Sequence, residues 1–458
     1  MAPPAGLRNP FPPLEILRPE QVEQIHQASL RILEEVGLNF QDPETLDLWR
    51  RAGARVDFSA QRVWLDRGLV MALLARAPCA FTWRGRNPAR SGVVGGDAVA
   101  FGPCGGMAYV TDLERGRRAG TQADYEDFVR LAHLSPHLHF AAWEQVTAQD
   151  VPVSLRHLHR LRAAIRLSDK PLLEAAHGRE ITADNLALAR LVFGADLGAG
   201  PAGAEPVIVI GDVINASSPL RFDQRMLGGL LHYARAGQAC FITPFILAGA
   251  MSPITPAAAL AQQNAEALAG AALTQLARPG APVLLGGFTT NADMRSGSPA
   301  FGTPEGAWAL LAGAQLARFY RLPYRASGAL TTANLPDAQA AWESLWTLWP
   351  AVLGGSHLIM HACGWLEGGL TASFEKFVLD LEDLARFADF LRAPEVEVGR
   401  APSPGRGADE DALRRAKRIW REQLREYEPP ALDPAVAEAI DDYIARRERE
   451  LRGRNLYE

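Results

Sequence analysis

Cysteine, lysine and long apolar runs are scarce in this chain, and each scarcity excludes a class of protein. Only four cysteines occur in 458 residues, and no two of them form a C-x-x-C pair: Cys79, Cys104, Cys240 and Cys363. A chain this long and this poor in cysteine is not built on a disulfide framework, which favours a reducing, cytoplasmic setting. No apolar stretch approaches the roughly 18 residues that cross a bilayer, so we expect no membrane span.

Clusters of positive charge are also missing. The formal net charge is −5, and lysine occurs only at positions 170, 376 and 417. Binding to a phosphate backbone requires clustered lysine and arginine, so we expect no nucleic-acid partner.

The first residues, MAPPAGLRNPFPP, contain no apolar core and do not resemble a signal peptide. A composition of 48% apolar and 22% charged residues is typical of a soluble globular enzyme.

Residues 1–97 predict a separate, mainly helical cap. The segment 19–37 carries apolar residues at helical spacing and ends at a glycine. The segment 42–53 repeats this pattern, with Asp42 as the expected N-cap and Pro43 at the first helical position. We expect short strands and a third helix to follow, through Arg76.

Residues 98–400 alternate apolar runs with helical patterns, once every 32 to 43 residues or so. The strand-like runs lie at 98–102, 138–144, 171–175, 207–213, 240–246, 282–288, 323–328 and 357–362. The helical segments that follow them lie at 121–134, 155–167, 182–193, 222–236, 257–278, 304–320, 337–349 and 373–391. Eight such units predict a (β/α)8 TIM barrel with a parallel sheet. A doubly wound open sheet is the alternative, but no G-x-G-x-x-G motif opens an early helix.

The remaining residues, 401–458, predict a C-terminal helical extension. A loop, APSPGRGADED, precedes helices that are rich in arginine and glutamate. These helices are expected to be exposed or packed on the outside of the barrel.

Three tryptophans lie at helical spacing in 337–349, namely Trp342, Trp346 and Trp349. They are expected to form the core side of that helix.

Reactive, polar or aromatic side chains follow the carboxyl ends of the expected strands, where β/α barrels place their catalytic groups. These residues are Cys104, Trp143, Glu144, Glu174, His177, Asp212, Asn215, Thr243, Phe245, Phe288, Thr289, Ser327, His361, Trp365 and Glu367. Any one of them alone could serve packing or capping. The hypothesis of a site depends on the architecture, which directs all of them to one mouth.

Several of the residues at the expected mouth are aromatic, namely Trp143, Phe245, Phe288, Phe301 and Trp365. Ring faces bind quaternary ammonium groups by cation–π attraction, worth roughly 0.5 to 2 kcal/mol per ring. Each ring taken singly is more simply explained as core packing. Together they predict a cage for a cation.

Two other patterns are weaker. His361-x-Cys363 matches part of the zinc motif of some cobalt-linked methyltransferases, but no cysteine follows Cys363 in the chain. A metal site is therefore not expected. The glycine-rich stretch 93–112 lacks the Gly-Lys-Ser/Thr of a P-loop and predicts a hairpin after the first barrel strand.

The stretch HACGWLEGGLTASFEKFVLDLED, at 361–383, resembles the trimethylamine methyltransferase (MttB) family. Further segments with this resemblance lie at 101–133, 247–283, 286–305 and 322–380. The resemblance implies a β/α barrel and methyl transfer from a methylated amine. The methyl acceptor would be the Co(I) of a separate corrinoid protein, so the chain itself would hold no permanent cofactor.

Archaeal trimethylamine enzymes of this family carry a pyrrolysine in the barrel. By resemblance it would fall between Pro323 and Asp337, where only standard residues occur. The chain therefore resembles the non-pyrrolysine branch, some of whose members demethylate quaternary amines such as glycine betaine. A quaternary nitrogen already carries the charge that lets a neutral amine leave, so no general acid is required. The protein must position the N–CH3 group and exclude water.

The sequence thus predicts a corrinoid-dependent methyltransferase that acts on a small quaternary amine and forms a homo-oligomer. The expected catalytic residues are His361, Glu367 and Ser327. The expected substrate-binding residues are Trp143, Glu144, Phe245, Phe288, Trp365, Arg295 and Arg325, the two arginines as donors to a substrate carboxylate. Two alternatives stay open: a zinc-dependent corrinoid methyltransferase of the same fold, and a non-catalytic protein that binds quaternary amines.

Overall fold

The computed structural model describes residues 6–175, 178–194, 197–198, 206–392 and 410–456. Within these ranges the chain is a mixed α/β fold with thirteen α-helices around a predominantly parallel sheet. His177, a candidate site residue, lies outside the described residues, as does the expected boundary at 400/401. None of the helices that the structure describes is long and apolar enough to cross a bilayer.

The N-terminal region combines three helices with short strands. In chain order its elements are β1 (Leu7–Arg8), α1 (Pro19–Arg31), β2 (Leu38–Phe40), α2 (Pro43–Arg51), β3 (Arg55–Asp57), β4 (Arg62–Trp64), α3 (Arg67–Leu74), β5 (Ala80–Trp83) and β6 (Gly92–Gly95). Asp42 caps α2 as expected, because its carboxylate accepts the N–H of Thr45 at 2.9 Å and Pro43 occupies the first turn. The third expected helix is α3.

The central region alternates strands and helices. Its first half contains β7 (Ala98–Phe101), β8 (Tyr109–Thr111), β9 (Arg118–Ala119), α4 (Gln122–Leu134), α5 (Arg156–Leu167), β10 (Leu172–Ala175), α6 (Arg179–Phe193), β11 (Ile210–Ala216), β12 (Arg221–Phe222) and α7 (Gln224–Arg235). Its second half contains β13 (Ala239–Ala248), α8 (Pro256–Ala277), β14 (Val283–Gly286), β15 (Phe288–Ala292), β16 (Pro299–Ala300), α9 (Pro304–Phe319), β17 (Tyr324–Ser327), α10 (Ala338–Leu353), β18 (Leu358–Met360), β19 (Trp365–Leu366), β20 (Thr371–Ser373) and α11 (Phe374–Leu391). The hairpin expected after β7 is formed by β8 and β9.

Seven parallel strands lie side by side. Six of them follow chain order, namely β10, β11, β13, β14, β17 and β18, and β18 then pairs with β7. The last strand therefore returns to the first, with Ile359 opposite Phe101. The expected strand at 138–144 is wrong, since that segment has no strand ladder. His139 donates its N–H to the carbonyl of Phe101 at 2.8 Å, but the N–H of Phe101 bonds to the imidazole of His139 instead of to a backbone carbonyl. This side-chain bond ends the ladder after one rung.

Alternation along the parallel strands separates two apolar layers. Side chains on the inner face pack with Phe81 and Trp83 of β5. The indole N–H of Trp83 donates to the carbonyl of Val209 at 3.2 Å. The inner layer includes Ala100, Phe140, Leu173, Val213, Phe241, Leu284, Leu358 and Met360. Side chains on the outer face pack against the helices. The N-terminal hairpin β5–β6 therefore fills the end of the sheet opposite to the strand carboxyl ends.

Helix α10 corrects one expectation about the tryptophans. Trp342, Trp346 and Trp349 are 55%, 48% and 39% exposed, so the prediction that they form the core side of the helix is wrong. The buried face of α10 instead carries Ser344 and Thr347. The hydroxyl of Ser344 accepts from the buried Lys376, and the hydroxyl of Thr347 accepts the backbone N–H of Leu330, so both buried polar groups are hydrogen-bonded.

Two helices form the described part of the C-terminal region, α12 (Ala412–Glu426) and α13 (Pro434–Leu451). Helix α12 packs on α11, where the rings of Trp420 and Phe374 stack with centroids 4.8 Å apart. Helix α13 packs on α6, where Arg447 pairs with Asp184 at 2.7 Å. Both helices therefore lie against the outer layer of helices.

Candidate functional site

Arg325, from β17, lies on the inner face of the sheet and is only 2% exposed. Its guanidinium donates to the hydroxyl of Ser327 at 2.9 Å, to Nε2 of His361 at 3.1 Å and to the sulfur of Met360 at 3.2 Å. All three acceptors are neutral. The ends of β17 and β18 thus hold a buried cation among polar but uncharged partners.

The charge of Arg325 has no counter-ion among the described residues. Burial lowers the pKa of its guanidinium to about 10, which still leaves it protonated at neutral pH. Within the described ranges, no aspartate or glutamate forms an ion pair with it. Buried charges in proteins are nearly always paired, because an unpaired ion is costly to remove from water. Such a group can be compensated by an anionic ligand.

His361 directly follows β18 and is 4% exposed. Because Arg325 can only donate, Nε2 of His361 must be the accepting nitrogen and its proton resides on Nδ1. In the part of the chain that the structure describes, this buried Nδ1 has no hydrogen-bond partner. Burial and the neighbouring Arg325 charge hold the pKa of the imidazole well below its usual value, so the ring stays neutral. His361 therefore presents one unused N–H donor.

Aromatic rings surround His361. Its ring centroid lies 4.9 Å from that of Trp143, 4.6 Å from that of Trp365 and 5.6 Å from that of Phe288. Phe288 also contacts Phe245 at 5.1 Å and stacks on Phe301 at 5.4 Å. The structure thus brings together the five aromatic residues that the sequence places at the expected mouth. We call these five rings the aromatic cluster.

The aromatic cluster is open on one side. Phe245 and Phe288 are only partly buried, and Asn215 at the end of β11 is exposed. Trp143 and Trp365 are nearly covered, and Trp365 is fixed by a bond from its indole N–H to the carbonyl of Thr331 at 3.2 Å. The indole Nε1 of Trp143 is buried and has no partner among the residues described. The cluster therefore contains a second unused N–H donor.

Glu367 lies two residues beyond Trp365, but its carboxylate is engaged elsewhere. It forms an ion pair with Arg117 of the β8–β9 hairpin at 2.9 Å and accepts the hydroxyl of Thr371 at 2.7 Å. The guanidinium of Arg117 stacks over Tyr109 at 3.7 Å. The structure therefore joins Glu367 to the hairpin and does not bring it to His361.

Two other expected site residues also lie apart from the aromatic cluster. Arg295 is exposed at the tip of the β15–β16 hairpin, where Asp293 accepts its backbone N–H at 2.8 Å. Glu144 pairs with Arg160 of α5 at 3.4 Å. Arg160 also binds Glu174 at 2.6 Å on the outer face of β10.

The outer face also holds Asp212, which stands opposite Glu174 in register. Because side chains alternate along a strand, Glu174 and Asp212 point towards the helices and not into the site. By contrast, Ser327 is fully buried on the inner face and contacts Arg325.

Sequence reasoning did not single out Met360 or Asp380. Met360 shares the inner face with Arg325, a position that the period of two along β18 could have revealed. Asp380 of α11 accepts the backbone N–H of Gly364 at 2.8 Å. Its spacing of four residues from Lys376 is an ordinary helical ion pair, so the sequence carries no sign of the bond to the loop.

His361 and Cys363 do not converge on a common point. Nε2 of His361 bonds to Arg325, whereas Cys363 is fully buried and its backbone carbonyl accepts from Cys104 at 3.0 Å. Burial raises the pKa of the Cys363 thiol well above its ordinary value. Across the described ranges, no group of three or more His, Cys, Asp or Glu side chains is placed to hold a metal ion.

Comparison with known proteins identifies the family. The family model for trimethylamine methyltransferase (MTTB) matches residues 2–401 and 405–452. A glycine betaine methyltransferase of Desulfitobacterium hafniense (strain Y51) is 36% identical over 479 aligned positions, which cover 96% of this chain and 98% of that protein. The trimethylamine methyltransferase MttB of D. hafniense (strain DSM 10664 / DCB-2) is 30% identical, covering 79% of this chain and 72% of that protein.

A more distant relative and a solved structure extend the comparison. MttB1 of Methanosarcina mazei, a trimethylamine methyltransferase, is 28% identical and covers 80% of this chain and 74% of its own. The crystal structure of a hydroxylamine complex of MtmB superposes with a TM-score of 0.51 at 8% identity, covering 95% of this chain and 93% of that one. This likeness concerns the fold alone. The family expected from the sequence is confirmed: the chain belongs to the trimethylamine methyltransferase family and is a methyltransferase.

Proposed function

We propose that this enzyme transfers a methyl group from a small quaternary amine that also bears a carboxylate, such as a betaine, to the Co(I) of a separate corrinoid protein. The observation that carries the proposal is Arg325, a buried cation with neutral partners beside an aromatic cluster. A zwitterionic substrate offers the carboxylate that this arginine lacks and the ammonium that the rings attract. The relative named for glycine betaine supports the same substrate class.

The two ends of a betaine fit two different sets of groups. The trimethylammonium end packs against ring faces of Phe245, Phe288 and Trp365, each worth roughly 0.5 to 2 kcal/mol. The carboxylate end takes charge-assisted bonds from Arg325 and the unused N–H donors of His361 and Trp143. Ser327 orients the guanidinium, and His361 acts as a neutral donor.

A cation without a carboxylate is a poor ligand for this site. The guanidinium carbon of Arg325 lies 5.7 Å from the ring centre of Phe288, so it repels any ammonium that sits against the same ring. A bound carboxylate cancels that repulsion. The site therefore favours a betaine over tetramethylammonium or protonated trimethylamine.

The chemistry of methyl transfer places few demands on acid–base groups. The reduced corrinoid supplies the nucleophile, and the quaternary nitrogen leaves as a neutral tertiary amine. The aromatic cluster holds the N–CH3 bond in one direction and keeps water away from it. Glu367 and Glu144 have the role of supporting the loops, through Arg117 and Arg160.

The proposed architecture is a closed (β/α)8 barrel formed by residues 98–400, with residues 1–97 as the cap and 401–458 as the helical extension. The segment 138–144 takes the place of the second strand. Support comes from the pairing of β18 with β7 and from the bond between His139 and Phe101.

The corrinoid protein docks on the loops that follow the strands, in the cytoplasm. Large apolar side chains are exposed in five of these loops, as expected for a surface that a partner covers: Leu113, Ile254, Met294, Leu335 and Leu370. The described tail helices pack against α6 and α11 on the outside. A homo-oligomer stays a prediction from the sequence.

The test is a panel of methylated amines incubated with the purified enzyme and Co(I) cobalamin, followed by the visible spectrum of methylcobalamin. We expect glycine betaine to give methylcobalamin. Tetramethylammonium and trimethylamine should each give at least tenfold less methylcobalamin. Omission of the enzyme is the control. The proposal is wrong if no quaternary amine yields methylcobalamin, or if tetramethylammonium reacts as fast as glycine betaine.

A further inference from the structure

The turn at 361–365 carries two rings of the proposed site in an unfavourable backbone conformation. His361 opens the turn at φ +57°, and Gly364 precedes Trp365 at φ +85°. The left-handed region is costly for a residue with a side chain such as His361, so surrounding contacts must hold the turn. The placement of both rings therefore depends on what the backbone of this turn binds.

One side of the turn is tied to the segment after β7. The N–H of His361 bonds to the carbonyl of Pro103 at 3.1 Å, and the N–H of Cys104 bonds to the carbonyl of Cys363 at 3.0 Å. The other side is tied through both backbone groups of Gly364. Its carbonyl accepts the N–H of Ser373, the N-cap of α11, at 3.0 Å. Its N–H donates to Oδ2 of Asp380 at 2.8 Å, which is a side-chain contact from α11. Asp380 thus reaches the turn from the helix layer.

Asp380 belongs to a buried polar group behind the site. It is 3% exposed, and both of its oxygens accept from Nζ of Lys376 at 2.7 Å. Lys376 is 2% exposed and donates also to the hydroxyl of Ser344 on α10 at 2.8 Å. Burial raises the pKa of the Asp380 carboxyl to about 6, against the pull of Lys376 and of the Gly364 N–H. The carboxylate is therefore ionised at neutral pH.

Stability alone does not account for this arrangement. A buried ion pair gains little over two apolar side chains of the same size, so α11 could pack as well with leucine and methionine at these positions. An apolar pair cannot supply an acceptor for the N–H of Gly364. The position also requires glycine, since φ is +85° and an added Cβ would lie 3.0 Å from Phe377 and 3.2 Å from the sulfur of Cys104.

We infer that Asp380 is a positioning residue, which holds the Gly364 peptide so that His361 and Trp365 face the substrate. Lys376 serves to keep the carboxylate in place. The expected effect on KM rests on the proposed function, whereas the hydrogen bond that fixes the Gly364 peptide does not depend on it.

Two double variants isolate the acceptor from the ion pair. Lys376→Met with Asp380→Asn removes both charges and keeps a carbonyl oxygen for the Gly364 N–H. Lys376→Met with Asp380→Leu removes both charges and also the acceptor. If this double variant does not fold, Lys376→Met with Asp380→Ala is used in its place. Circular dichroism and melting temperature define a temperature at which all variants are folded.

Kinetics and hydrogen exchange then decide the role. We expect the asparagine variant to keep KM for glycine betaine within about threefold of the parent and the leucine variant to raise it tenfold or more, with a smaller change in kcat. Amide exchange of peptides covering 361–366 should accelerate at least tenfold in the leucine variant only. Equal exchange in the two double variants would overturn the inference. Because exchange needs no substrate, it tests the positioning role even if the methyl-transfer assay fails, and that failure would count against the proposed function alone.

Discussion

Replacement of Arg325 by methionine should reverse the ligand preference of the site. Methionine keeps most of the length of the side chain but removes the charge and every donor to Ser327, His361 and Met360. A substrate carboxylate loses charge-assisted bonds worth about 3 kcal/mol, which corresponds to a Kd for glycine betaine more than a hundredfold weaker.

The same change should strengthen the binding of a simple cation. The guanidinium carbon lies 5.7 Å from the centre of Phe288. An ammonium held by the neighbouring ring of Phe245, whose centroid lies 5.1 Å from that of Phe288, would be roughly 10 Å from the charge. At that distance the repulsion is about 1.7 kcal/mol at an effective dielectric constant of about 20. Removing the charge should therefore tighten tetramethylammonium binding about twentyfold. The melting temperature should stay equal or rise, because a buried charge without a counter-ion among the described residues is removed.

Isothermal titration with both ligands, in the absence of cobalamin, measures the effect. Arg325→Lys is the matched control, since it keeps the charge and loses the planar fork; we expect about tenfold weaker betaine binding and no gain for tetramethylammonium. If Arg325→Met leaves betaine affinity unchanged, or weakens both ligands equally, then Arg325 does not bind the carboxylate and the reasoning fails.

Three further predictions concern the rings around Arg325. Trp365→Ala should raise KM for glycine betaine tenfold or more, because about 1 to 2 kcal/mol of cation–π contact is lost. The uncharged tert-butyl analogue of betaine should bind the parent enzyme much more weakly than betaine does. Equal binding of the two ligands would contradict the aromatic cage. Trp143→Phe keeps a ring but removes the unused indole N–H, so titration should show a betaine Kd that is weaker by about fivefold with tetramethylammonium unaffected, whereas a parallel loss for both ligands would indicate a packing defect. The pKa of His361 is lowered well below 6.5 in the folded protein, so the unfolded chain binds the proton first and stability is lost as pH falls below about 6.5. His361→Phe should therefore lose less stability than the parent between pH 7 and pH 5 in urea unfolding. The unfolded pKa of about 6.5 limits this difference to at most about 2 kcal/mol, and an unchanged pH dependence would show that His361 protonates normally.

Much of the fold was accessible from the sequence because it depends on local periodicity. Seven of the eight expected strands are present, from 98–102 to 357–362, and each expected helix of the central region has a counterpart. The cap of α2 was also predictable, since Asp42 and Pro43 act within one turn. The expected second strand at 138–144 failed, because a side-chain bond from His139 replaces a rung of the ladder, and no propensity reveals such a bond.

The candidate site was accessible only in part. The convergence of Phe245, Phe288 and Trp365 followed from the rule that strand ends meet at one edge, and Trp143 joins them although its segment forms no strand. The rule does not say where a long polar side chain goes once it leaves the strand end. Glu367 turns to Arg117 on a hairpin that lies 250 residues away in the chain.

The family, the alternation of strands and helices, and the set of residues that reach one edge of the sheet can all be read from the amino-acid order. Each of these depends on interactions within a few residues or on the number of units. The partners of the buried polar groups emerge only in three dimensions: Arg325 lies among neutral acceptors, and Asp380 lies beneath the turn that carries His361 and Trp365. A buried hydrogen bond or ion pair depends on angstrom-level distances between segments far apart in the chain, and a one-dimensional pattern does not contain those distances.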